Sequence, residues 1–367
     1  MVSQSASVRS AGTSTLKKID DYPAYLEAAW HEHLKPRRRD APKVISLFAG
    51  GGGSSLGYSM AGFQELLAVE WDKNAIDTFR LNFPGIPVYQ DDIAQLTVDE
   101  CLKLANIKPG QLDLLDGSPP CQGFSTAGKR EFRDDRNQLF REYVRLLRGL
   151  KPKVFMMENV SGMVKGKMKI IFADIMRELK ASGYRVSARL LNAMYFGVPQ
   201  SRERMIFIGV RKDLGIEPSH PRAEKNPVVL HEALHNITNS TQDILQSKYP
   251  SETLSYKLLD KMKSWEIGAK YHPNSAMFGL KRLDWDKPSR MVLREDGGGA
   301  SCQCCHPTEN RRLTIPEVLR VSSFYSAFRL IGSVGDQWSR IGNSVPPLFM
   351  RAIALHIRHE ILDKVSR

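Results

Sequence analysis

The chain has 367 residues, 42% hydrophobic and 25% charged, proportions of a folded globular protein rather than a disordered or fibrous one. Its length exceeds one small domain and points to two or three. Fifty-three Lys and Arg against forty Asp and Glu leave a formal charge of +13, which suits a polyanionic partner, either nucleic acid or an acidic membrane surface. No apolar run approaches the ~18 residues of a spanning helix, so no membrane-spanning helix is expected. Five cysteines are an odd number and too few for a disulfide framework, and no secretory-signal pattern opens the chain. A reducing, cytoplasmic setting is the expectation.

Residues 1–19 are rich in Ser, Ala and Thr without an acidic residue and read as a disordered tail, a look that Ser-rich organelle transit peptides share. Tyr22, Tyr25, Leu26, Ala29, Trp30 and His33 then recur at helical spacing, and Lys35 to Asp40 reads as a basic linker closed by Pro42. Strands follow at Val44–Phe48, Leu66–Val69, Pro87–Tyr89, Leu112–Leu115, Val154–Met157 and Met205–Val210, with helical patterns such as Asn137–Leu150 and Lys169–Ala181 between them. This alternation predicts an α/β fold with a doubly wound, mostly parallel sheet. From about Glu217 to Ala300 the rhythm fails, and order resumes in helices near Ile315–Val321 and Pro347–Leu362. The expected division is 1–43 as tail, short helix and linker, 44–210 as the α/β domain, 211–328 as a smaller irregular domain, and 329–367 as a segment returning to the first domain.

Four glycines, Gly50 to Gly53, directly follow the first strand, where a ligand can approach bare backbone; a tight structural turn is the alternative. Glu70 closes the second strand about twenty residues later, positioned to accept hydrogen bonds from ribose hydroxyls. Trp71 offers a face for a base, and Asp92 ends the third strand. The spacing departs from the dinucleotide fingerprint and no P-loop lysine follows, so the pocket suits S-adenosylmethionine better than NAD or ATP.

The fourth strand runs into Ser118-Pro119-Pro120-Cys121-Gln122-Gly123. Two prolines keep Cys121 out of a regular helix or central strand, which makes it a candidate nucleophile; a buried thiol is the alternative. Glu158 ends the fifth strand at the same edge, where burial would raise its pKa and let it protonate or hydrogen-bond a ring nitrogen. Arg202 and Arg204 alternate before the last strand, on one face of an extended segment, to hold an anionic substrate or Glu158, or to lie solvated.

These pieces, in this order, resemble the DNA (cytosine-5) methyltransferase family, of the bacterial restriction–modification kind, from about Val44 to Ala354. The motifs are Leu47-Phe48-Ala49-Gly50, Glu70-Trp71-Asp72, Asp92-Ile93, Pro119-Pro120-Cys121-Gln122-Gly123-Phe124-Ser125, Arg136-Asn137-Gln138-Leu139, Glu158-Asn159-Val160, Gln200-Ser201-Arg202-Glu203-Arg204 and Gly342-Asn343-Ser344-Val345-Pro346-Pro347. The resemblance implies a methyltransferase fold with a target-recognition domain over 211–328, and Cys121 as the nucleophile that adds to C6 of a flipped cytosine. It implies that Glu158 contacts N3 and the exocyclic amine, and that Arg202 and Arg204 contact the flipped nucleotide. Phe48, Gly50, Gly53, Glu70, Trp71, Asp92, Ile93, Pro119, Leu139 and Asn343 are the implied cofactor contacts. Ser125–Arg136 is implied to be a mobile catalytic loop.

Two departures stand out. Ser46 replaces the Asp of many members, and Val321-Ser322-Ser323-Phe324-Tyr325 lacks the usual Gln and Pro, which puts the docking of the recognition region in question. The partner implied is double-stranded DNA, met by a monomer at the nucleoid, with a cognate endonuclease not physically required. A tRNA methylase of the same fold would carry a Cys-Phe-Thr tripeptide that is absent here, and an inactive DNA-binding regulator would not need Cys121, Glu158 and Arg204 together. The ligands of Cys302-Gln303-Cys304-Cys305-His306 are too close together for an ordinary zinc site, so no metal is expected. Arg282, Arg290 and Arg294 are candidate base readers. Residues 205–310 carry fourteen basic and thirteen acidic side chains, so the charge excess lies outside the expected reader.

Overall fold

The computed structural model describes residues 19, 21–120, 138–164, 168–277, 279–295 and 302–365. Seven strands form one sheet: β1 (Lys43–Leu47), β2 (Gln64–Val69), β3 (Val88–Tyr89), β4 (Leu114–Gly117), β5 (Val154–Val160), β6 (Tyr184–Asn192) and β7 (Glu203–Arg211). Their order is β3-β2-β1-β4-β5-β7-β6, with β1 to β5 parallel and β7 antiparallel to both neighbours. The order reverses between β1 and β4, so their carboxyl ends open a crevice, the usual ligand position in such sheets.

Among the described residues the α-helices are, in chain order, α1 (Tyr22–Leu34), α2 (Gly53–Met60), α3 (Lys73–Asn82), α4 (Val98–Ala105), α5 (Gln138–Leu150), α6 (Met168–Ala181), α7 (Leu230–Leu234), α8 (Thr241–Ser247), α9 (Leu254–Lys261), α10 (Ile315–Val321), α11 (Val334–Asn343), α12 (Pro347–Ile357) and α13 (Asp363–Val365). Alternation along each strand divides the core. Val44, Leu114, Met156 and Ile208 face α1, α2 and α12, whereas Ile45, Leu115, Phe155 and Phe207 face α4, α5 and α6. Among the described residues no helix is long and apolar enough to cross a membrane.

Asp21 caps α1 by accepting the Ala24 N–H, and Pro23 sits in the first turn. This helix is part of the core: Tyr22, Leu26, Ala29 and Trp30 are buried, and the Tyr22 hydroxyl donates to the Arg320 carbonyl. α12 presses onto α2 so closely that a Cβ at Gly57 would lie 2.5 Å from that of Met350.

One strand was not foreseen. β6 lies at the sheet's edge with Arg185 and Ser187 half-buried and Arg189 exposed, so no compact apolar run marks it. Several boundaries move by two or more residues; β7 runs Glu203–Arg211 because Arg204 joins the ladder opposite Val160. The irregular region is built from α7 to α9 and isolated bridges such as Arg282 with Cys305 and Ile267 with Lys281. Cys302, Cys304 and Cys305 are buried there, and the Cys305 thiol lies 3.6 Å from the Cys302 carbonyl oxygen.

Candidate active site

β1 hands over to α2 through a loop in which Phe48 (φ 58°), Gly50 (φ 56°) and Gly52 (φ 95°) are all left-handed. For an aromatic residue this backbone is costly and must be held from outside. Ala49 N–H donates to the Val69 carbonyl at 3.0 Å, and Gly50 N–H donates to Glu70 Oε2 at 2.8 Å. Glu70 Oε1 also accepts the N–H groups of Trp71 and Asp72. Its two oxygens therefore fix the loop first, with about one acceptor position left for a ribose hydroxyl. A Cβ at Gly50 would meet nothing within 4 Å, so the loop faces open space there.

Gly53 has a different task. A side chain there would collide with the Val345 carbonyl oxygen at 2.6 Å, so its bareness admits the C-terminal segment rather than a ligand. Trp71 is 76% exposed beside the loop, an unusual position for an indole without a partner. Asp92 is exposed in the turn after β3, its Oδ1 accepting the Ala94 N–H, and Ile93 is buried behind it. Leu139 is half-buried on α5, and Asn343 is exposed at the end of α11. From the same helix Arg340 reaches Asp72 at 3.2 Å, tying α11 to the loop. Bare backbone, an exposed aromatic face and acidic groups at two strand ends fit an adenosyl ligand with no polyphosphate to clamp.

Cys121 and the stretch 121–137, with Ser125–Arg136, lie outside the described residues. The approach to them is defined. Pro119 is buried, and its carbonyl accepts the Asn159 side-chain amide at 3.3 Å. Asn159 carried no role in the sequence reading, yet it ties the end of β5 to the residue two before Cys121. Gly117 admits the Tyr143 ring, which a Cβ would meet at 2.6 Å.

Glu158 lies opposite Ile206, so Arg204, two residues along β7, shares its face. Arg204 Nε meets Glu158 Oε1 at 2.5 Å, with both side chains 11% exposed. The pair is shielded from water, and the arginine supplies the countercharge that burial alone would deny the carboxylate.

Arg202 does not share that task. It precedes β7, is 4% exposed, and donates to the Val292 and Gly342 carbonyls at 3.1 and 3.0 Å. Burial, and secondarily Arg204, pushes its pKa down to about 9, against the pull of Glu158, so it stays charged at neutral pH. Its guanidinium staples Val292, in the irregular region, to Gly342 of α11. Arg282 and Arg290 also turn inward, as described below.

The two departures from the family pattern have structural answers. Ser46 is the register partner of Asp116 on β4, so a buried carboxyl stands beside the serine. Burial pushes the Asp116 carboxyl well above its ordinary range, against the Tyr58 hydroxyl and with Glu65 and Glu158 adding to the rise. In the second departure Ser322 accepts the Gln200 amide, Ser323 accepts the Leu348 N–H, and Tyr325 donates to Glu27 of α1. Arg311 and Glu317 complete the docking with a bidentate pair at 2.8 and 3.0 Å. The irregular region is thus seated with its own set of contacts.

The fold and this site together define an S-adenosylmethionine-dependent methyltransferase. The family of C-5 cytosine-specific DNA methylases matches residues 42–359, and the chain belongs to it. It is 38% identical over 329 residues to the Type II methyltransferase M1.HphI of Haemophilus parahaemolyticus, covering 84% of this chain and 85% of that one. It is 31% identical to M.FnuDI of Fusobacterium nucleatum, covering 88% and 96%. Among solved structures, a prophage-encoded E. coli protein described as a DNA modification methyltransferase superposes with a TM-score of 0.70 at 25% identity, covering 88% of this chain and all of that one.

Proposed function

We propose that the chain is a Type II modification enzyme that flips one cytosine of a specific duplex sequence and methylates C5 through a covalent Cys121–C6 adduct. The observation that carries this reading is the shielded Glu158–Arg204 pair beside the anchored Pro119. C5 of cytosine is a weak nucleophile, and the target ring is hidden in the stack, so extrusion costs a few kcal/mol before any chemistry begins. The Cys121 thiolate forms a bond to C6, and the ring electrons move toward C5. Glu158 faces N3 and the exocyclic amine, and Arg204 holds that carboxyl in one position. Phe48, Gly50, Glu70, Trp71, Asp92, Ile93, Leu139 and Asn343 would hold S-adenosylmethionine, which supplies an electrophilic sulfonium methyl group. Loss of the C5 proton returns its electron pair to the ring and breaks the C6–S bond, freeing Cys121.

In this reading the protein acts as a monomer on one duplex in the cytoplasm, associated with the nucleoid through DNA, and a cognate endonuclease is not physically required for the cycle. Wild-type protein and Cys121→Ser are compared on duplexes containing 5-fluorocytosine and on normal DNA. Wild type is expected to form a denaturation-resistant complex because fluorine cannot leave as a proton does, and the serine variant neither traps nor methylates. Full activity in the serine variant would refute the covalent route.

A further inference from the structure

From the sequence, Arg282, Arg290 and Arg294 are equivalent candidates for reading bases. The structure separates them by what their guanidinium groups already hold. Arg282 is 3% exposed and donates to the carbonyls of Leu259, His306 and Glu309 and to the Asn310 side chain. Arg290 lies 3.9 Å over the Trp265 ring and donates to the Trp265 carbonyl. Both are internal ties. Arg294 is exposed, and among the described residues nothing engages its guanidinium.

Its backbone, by contrast, is firmly held. Val292 N–H donates to Gln200 Oε1 at 3.2 Å, and the Val292 carbonyl accepts from Arg202 at 3.1 Å. The Leu293 carbonyl accepts from Trp338 Nε1 at 3.1 Å, and bare Gly342 lets the Arg294 amide pass where a Cβ would stand 2.8 Å away. Just before, Met291 Sδ lies 3.6 Å from Arg204, the partner of Glu158. Three residues of extended chain span at most about 11 Å. Arg294 therefore leaves the protein within about 11 Å, along the backbone, of the Met291 that touches the partner of Glu158.

We infer that Arg294 reads a guanine of the recognised sequence, through paired hydrogen bonds to O6 and N7. A phosphate contact needs only positive charge, whereas a bidentate contact needs the planar fork carried on fixed backbone, and two clamped residues provide that. The near-neutral balance of residues 205–310 likewise suits edge reading better than backbone attraction. This assignment rests on the proposed sequence-specific methylation and names one of its specificity residues.

The test expresses wild type, Arg294→Ala and Arg294→Gln in a host without DNA methylation and maps 5-methylcytosine across the genome at base resolution. The wild-type site is expected to contain a guanine other than the one paired with the target cytosine. Arg294→Ala should lose at least about fivefold discrimination at that one position, the other positions keeping theirs. Arg294→Gln should admit adenine there, because Gln pairs with N6 and N7 of adenine; it also serves if truncation leaves too little methylation to map. A wild-type site without such a guanine, an unchanged site in both variants, or a uniform loss with shallower salt dependence overturns the inference. A wild type that makes no 5-methylcytosine at all fails the enzymatic reading itself, which is a separate result.

Discussion

Replacing Gly342 with Ala is a one-atom perturbation whose consequence can be worked from distances. In an exposed helix the change stabilises by about 0.5–1 kcal/mol through backbone entropy. Here the new Cβ would lie 2.2 Å from the Leu293 carbonyl oxygen and 2.6 Å from its carbon. Both neighbours are backbone, so no rotamer change relieves the contact, and the Val292–Arg294 segment must retreat by about 1 Å to reach ordinary packing distance. That retreat stretches the bonds from Arg202 to Val292, Gln200 to Val292 and Trp338 to Leu293, each worth about 1 kcal/mol net. Adding the cost of overpacking and subtracting the helical gain leaves a destabilisation of about 3–5 kcal/mol. Denaturant titration should show that loss, and steady-state methylation of duplex DNA should show kcat/KM falling up to about 100-fold, the effect of a 1 Å misplacement. S-adenosylmethionine binding should be largely preserved. A Gly342→Ala enzyme with wild-type stability and kcat/KM would show that these clamps do not position the segment.

Two further outcomes are expected. Trp71→Ala should leave the fold intact, because the indole is 76% exposed, but should weaken S-adenosylmethionine about tenfold or more by loss of stacking; calorimetric titration with unchanged affinity removes Trp71 from the site. Glu65 has an enclosed carboxyl that accepts the Ser55 hydroxyl at 2.9 Å, and burial raises its pKa from 4.5 to about 7. The folded state therefore keeps a proton that the unfolded chain has already released between those pH values. Stability contributed by this group falls across pH 4.5 to 7 and stays low above it. Glu65→Gln should be more stable than wild type by about 3 kcal/mol at pH 8, with the gap largely closed at pH 4. An advantage equal at both pH values would show that the carboxyl does not titrate as described.

The parallel half of the sheet was readable because each of its strands is a short apolar run closed by glycine, proline or an acid. α10 was placed at Ile315–Val321, its observed span, since Thr314 and Glu317 form a capping box around Pro316. β6 was not readable, because an edge strand that carries Arg185, Ser187 and Arg189 and no compact apolar run looks like a loop. For the site, residue types at strand ends pointed to Glu158 and Arg204, whose partnership follows from their antiparallel register. Arg202 looks equivalent to Arg204 by spacing, but β7 begins between them, and where the chain turns depends on Asn192, whose side chain accepts the Arg202 N–H. Likewise a glycine's sequence position does not tell a ligand-facing Gly50 from a packing Gly53; only the Val345 carbonyl does. Three arginines in one region are interchangeable letters until the carbonyls of Leu259 and Trp265 claim two of them.

The seating of α12 on α2 also sets an order of events during synthesis. The glycine loop and α2 are among the first parts of the α/β domain to be made, yet Gly53 and Gly57 close only against Val345, Pro347 and Met350. About 300 residues must be added between the two, which at ~5–20 residues per second takes on the order of 15–60 s. Throughout that interval the cofactor loop lacks its backing, and Arg202 lacks the Gly342 carbonyl that completes its staple. A growing chain is thus without a finished site until Gly342 to Met350 have emerged and folded back onto α2.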